Sequence, residues 1–151
     1  MRRWEKWSLN LLSLIVTLTG VTYFWMKYVL ESSDPFAVVN HAWQIPTLNL
    51  HIVASPLFIL VGGIVFNSHV MKKLRAPRLP NRRSGYVSVG TFTAMVLSGY
   101  LLQISVDPWW LQAFMIVHVT AGVMFSVAYG AHLVIGLRLV RRQNAVVREV
   151  A

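Results

Sequence analysis

Thirty consecutive residues, Pro108 to Leu137, carry no formal charge, yet they contain two histidines, His118 and His132. A run of that length spans a bilayer hydrocarbon core as a helix. The histidines are 14 positions apart, which on a helix puts them about 21 Å apart along the axis and about 40° apart around it. Imidazole inside a lipid-spanning helix is costly and tends to mark function. Two on one face, one toward each membrane surface, predict a pair of sites.

Three further uncharged runs complete the pattern. Trp7–Met26 follows the basic residues Arg2, Arg3 and Lys6. A cleaved signal peptide has that order, but Tyr23, Phe24, Trp25 and Tyr28 replace the small residues of a cleavage site. They read as an interfacial aromatic belt on a retained helix. Pro35–Met71 and Ser84–Val106 supply the others. The expected fold is all-α: an integral membrane four-helix bundle forming one domain over 1–151. Its helices are expected at about 7–29, 47–71, 84–106 and 110–137, with a short basic tail.

Composition agrees, with 56% hydrophobic residues and mean hydropathy of +0.55. The net charge of +9 does not point to nucleic acid, because of where it lies. Thirteen of the 14 Lys and Arg residues fall at the N-terminus, in Lys72–Arg83 or in the tail, and Lys27 alone lies opposite. The positive-inside rule then predicts both termini and the middle loop in the cytoplasm. No cysteine is present, which excludes thiolate-held metal clusters and covalent c-type haem attachment. No nucleophile–base pair, phosphate loop or paired carboxylate appears, so hydrolytic chemistry has no support. No repeat stands out, although helices two and four share a His-to-His layout.

Helix two carries His51 and His69, 18 residues apart, which is five α-helical turns and about 27 Å on a straight axis. Helices two and four run in the same direction, so His51 and His118 are expected in the outer leaflet and His69 and His132 in the inner one. Bis-histidine ligation needs two imidazoles on opposite faces of a porphyrin, which facing helices of a bundle supply. Two b-type haems are therefore expected, with a single haem as the nearest variant. Gly62, on the face of His51, and Gly122, one turn beyond His118, leave room for the rings. Lys72, Arg75, Arg82 and Arg83 are candidate partners for the inner propionates. The outer haem has no evident basic partner. The axial separations of about 27 and 21 Å differ by roughly 6 Å; a kink at Pro56 or Gly62–Gly63 would absorb this, and otherwise His51 is the ligand in question. His41 reads as an interfacial loop residue, and it and Gln44 are candidate quinone contacts.

In His51 and His69, in His118 and His132, in the stretch from His41 to His51 and in Ser98-Gly99-Tyr100-Leu101-Leu102-Gln103, the chain resembles small bacterial di-haem cytochrome b proteins. These include the cytochrome b subunits of formate dehydrogenase and Ni,Fe-hydrogenase and their four-helix relatives. The resemblance implies an electron-transfer subunit of the bacterial cytoplasmic membrane, working between a quinone and an outer-face c-type cytochrome or oxidoreductase. In those subunits the first helix supplies a ligand, whereas helix one here has no histidine. Competing readings are a non-haem transporter or proton relay and a structural subunit whose histidines only pack.

Overall fold

The computed structural model describes residues 2–34, 36–75 and 82–150. Pro35 and the prolines and Arg78 of the basic loop at 76–81 lie outside the described residues. The secondary structure is all helical among those described, with no strand. Helix α1 is Arg3–Tyr28 and α2 is Gln44–Val65; a π turn, Phe66–Val70, links α2 to a short α3, Met71–Arg75. Helices α4, Arg82–Ile104, and α5, Pro108–Val150, complete the chain. Four helices are long and apolar enough to cross a membrane, as the uncharged runs predict.

Local chemistry explains the boundaries. Glu5 in the first turn of α1 accepts a hydrogen bond from the Arg2 backbone N–H at 2.9 Å, so the helix takes in the basic residues expected to precede it. Asp107 caps α5, its Oδ1 accepting from the Trp109 and Trp110 amides at 2.9 and 3.2 Å. Pro108 is then the first helical residue, where its missing N–H costs nothing. The helix therefore starts two residues before the expected position. It also continues through the basic tail to Val150, because nothing after Gly136 in that stretch breaks a helix. Helix α2 likewise starts three residues early, with Pro46 tolerated in its first turn.

The chain divides into two compact units, Met1–Arg75 and Ala76–Ala151. In the first, α1 packs on α2; in the second, α4 packs on α5. Each is a helical hairpin with a thin core: Leu9, Val16, Met26, Ala54, Phe58 and Val65 in the first, Met95, Ala121 and Phe125 in the second. Leu11, Leu14, Leu18, Leu57, Leu60, Val123 and Val127 are exposed. Such apolar surfaces suit contact with lipid, where hairpins are held by close packing at small residues rather than by hydrophobic burial.

Candidate functional site

His51 is half-buried against α1, and its Nδ1 lies 3.1 Å from the Val16 carbonyl oxygen and 3.1 Å from Thr19 Oγ1. A carbonyl can only accept, so Nδ1 is the protonated nitrogen and donates. The Thr19 hydroxyl donates to the Ile15 carbonyl at 2.8 Å, which turns an oxygen lone pair toward the ring. The imidazole reaches a main-chain carbonyl on another helix because the residue one turn above Val16 is Gly20. A Cβ there would stand 3.1 Å from His51 Cε1. In the neutral ring Nε2 then carries the lone pair, the form in which histidine binds a metal.

The second hairpin repeats the arrangement. His118 Nδ1 lies 2.9 Å from the Met95 carbonyl oxygen and 3.3 Å from Ser98 Oγ. Ser98 donates to the Ala94 carbonyl at 2.7 Å, and a Cβ on Gly99 would stand 3.0 Å from His118 Cε1. Val16, Thr19 and Gly20 thus correspond to Met95, Ser98 and Gly99, each displaced by 79 positions. On the other helix His51, Ala54 and Phe58 correspond to His118, Ala121 and Phe125, each displaced by 67. Both alanines and both phenylalanines are buried. The two hairpins thus repeat one local arrangement that seats an imidazole, where the sequence had shown no evident repeat. Different loop lengths give the two helices different offsets, which hides the repeat from a single-period comparison.

His69 and His132 are not equivalent in this way. His132 Cε1 lies 3.9 Å from a Cβ built on Gly85, an ordinary packing distance. Gly85 and Gly99 on α4 are 14 apart, the same interval as His132 and His118 on α5, so each histidine of α5 crosses α4 at a glycine. In the repeat register, however, the position matching His132 is Val65, and His69 lies one turn farther on, inside the π turn. There the Met71 N–H reaches back five residues to the Phe66 carbonyl. A π turn takes in about one residue more than an α turn, so His69 lags by up to roughly 100°. This corrects the expectation that His51 and His69 share a face through five regular turns. It also shortens the 27 Å separation by about 1.5 Å. The irregularity falls at the C-terminal end of α2, so His69 and not His51 is the histidine of that helix that departs from the repeat.

Other expected site residues sit as follows. Gly122 faces Met95, whose sulfur would be 3.7 Å from a Cβ there. Gly62 is half-buried in α2, just before the π turn, and Lys72 and Arg83 are exposed. The side chains of Arg75 and Arg82 lie outside the described residues. His41 is exposed in the turn before α2, where its Nδ1 accepts the Trp43 N–H at 3.1 Å. Gln44 is buried, and its Oε1 accepts the Asn40 N–H at 3.1 Å. Both therefore have local structural work.

The sequence matches no family model, and no curated protein or solved structure is significantly similar to it. The site must speak for itself. Sequence reasoning had reached the histidines but not Thr19 and Gly20, nor the ring-seating roles of Ser98 and Gly99. Their signal is the recurrence of Leu-Thr-Gly at 18–20 as Leu-Ser-Gly at 97–99. Glu5 was also missed. It is buried, and Ser68 Oγ in the π turn donates to its Oε2 at 2.9 Å.

Proposed function

We propose that the protein is a transmembrane electron-transfer subunit binding b-type haem through its intramembrane histidines. In the sequence-derived pairing, His51 and His118 ligate the outer iron and His69 and His132 the inner one, within a four-helix membrane bundle. The observation that carries the reading is the duplicated seat: two imidazoles, each with Nδ1–H held by a carbonyl and a hydroxyl over a glycine, and each with its lone pair on Nε2. Packing histidines have no need of a shared tautomer or of a glycine beneath the ring.

The donor set fits haem better than a metal held by protein alone. Among the described residues no three His, Asp or Glu side chains lie together as a metal-binding group. A haem would need only two ligands from the chain, which the imidazoles of one histidine pair would supply. A bound haem supplies one-electron chemistry; the chain orients the rings, excludes water and sets ligand basicity through Nδ1. In this reading electrons pass between a quinone and an outer-face c-type cytochrome or oxidoreductase, in a bacterial cytoplasmic membrane with both termini inside.

The test is a reduced-minus-oxidised visible spectrum of the detergent-purified protein, with haem stoichiometry by pyridine haemochrome. Two haems per chain are expected. One would confine the reading to His51 and His118; none, with ample haem during expression, would refute it.

The hydroxyls give a finer test. Thr19→Val keeps the side-chain volume and the Val16 carbonyl but removes one hydrogen-bond acceptor from Nδ1. Ligand basicity falls, so the ferric state loses stabilisation. The expected result is a higher midpoint potential for the outer haem and up to about tenfold weaker ferric binding. An unchanged potential would show that the hydroxyl has no part in tuning the ligand.

A further inference from the structure

The far end of the first hairpin, beyond the His51 seat, holds two donor groups that the seat itself does not use. Lys27 is the single cation on its side of the uncharged runs. It stands seven residues beyond Gly20 on α1, which is about 10.5 Å farther out and only about 20° away around the helix. Gln44 stands seven residues before His51 on α2, so it is displaced outward by the same distance and angle on the facing helix. Asn40 ties the two together: its Nδ2 donates to the Lys27 carbonyl at 3.1 Å and its backbone N–H donates to Gln44 Oε1 at 3.1 Å. Committing Oε1 to that bond leaves the Gln44 amide as an NH2 donor group. The Lys27 ammonium lies 5.6 and 5.3 Å from the Tyr23 and Tyr28 ring centroids. No carboxylate pairs with it among the described residues. The second hairpin has Val106 and Leu111 at the corresponding positions, so this pair of donors belongs to one half of the repeat alone.

We infer that Lys27 and Gln44 form a carboxylate-binding pair that holds the propionates of the outer haem. The inference rests on the haem reading and assigns the basic partner that the outer site otherwise lacks. The Lys27 ammonium, held between Tyr23 and Tyr28, and the Gln44 amide NH2 together match a carboxylate with two acceptor oxygens. Both donors lie on the seat's own face, two turns toward the membrane surface, at the level where a propionate edge meets water.

Potentiometric titration of the full-length protein, comparing wild type with Lys27→Gln, Lys27→Arg and Gln44→Leu, tests this. The outer haem is identified as the one lost in His51→Ala. A positive charge beside the propionate favours the reduced state. Lys27→Gln should therefore shift the outer haem's reduced-to-oxidised ratio about tenfold toward oxidised, a fall of about 59 mV for one electron. Lys27→Arg should restore it, Gln44→Leu should give a smaller fall, and the inner haem should not move. If Lys27→Gln retains both haems with unchanged potentials, the assignment is wrong while the haem reading stands. If native mass spectrometry of that variant instead shows loss of a co-purified phospholipid, Lys27 serves a lipid phosphate and the propionate assignment falls. Absence of haem from the wild type removes both.

Discussion

Replacing His118 with Ala is expected to remove the outer haem completely and leave the inner one in place. The same loss is expected for His51→Ala, since the two rings occupy equivalent seats. His132→Ala should remove only the inner haem. His69→Ala is the informative variant, because His69 lies in the π turn, one turn beyond the position that matches His132. If it ligates iron, the inner haem disappears; if its ring only packs, the inner spectrum persists. Haem stoichiometry and the α-band of each variant read this directly, and far-ultraviolet circular dichroism separates ligand loss from unfolding. Retention of both haems in His118→Ala would end the bis-histidine reading.

Gly99→Ala is expected to cost the outer haem without costing the fold. The two effects on stability partly offset, leaving a net cost of at most about 2.5 kcal/mol. Alanine gains roughly 0.5–1 kcal/mol over glycine inside a helix, whereas pushing a methyl into a packed contact typically costs about 1–3 kcal/mol. The new Cβ would stand 3.0 Å from His118 Cε1 and 3.2 Å from Nδ1. The ring must therefore move by a few tenths of an ångström, away from the Met95 carbonyl that fixes its tautomer. Haem affinity should drop by about 10–100-fold, the usual consequence of disturbing an outer-shell contact. Gly20→Ala should behave alike at His51. Gly85→Ala is the control, because the corresponding gap to His132 is 3.9 Å and a methyl fits there. Equal haem loss from Gly85→Ala and Gly99→Ala would show that close seating of the outer ring is not what matters.

Four spans were readable from charge-free runs alone, since the bilayer imposes a length that few other structures need. The ends were less so. Asp107 and Pro108 carry an N-cap signature that places the start of α5 two residues ahead of the expected position. The length of the last helix depends on a charged tail, where hydropathy gives no guidance. The four histidines were legible as candidates because each conflicts with its apolar surroundings. Their seats were not, because threonine, serine and glycine are common in membrane helices and become informative only when set beside one histidine. The π turn at Phe66–Val70 had no readable signature beyond the Gly62–Gly63 pair and Pro56 upstream. It upset the one calculation that assumed uniform helical phase.

A duplicated hairpin encoded in one chain has a consequence that two identical subunits could not offer. A substitution in an assembly of identical hairpins alters every seat at once, and their chemistry must stay the same. Here the matched positions differ, Thr19 against Ser98, Val16 against Met95 and Lys27 against Val106. The two halves can differ independently, so two like seats can be given a front and a back.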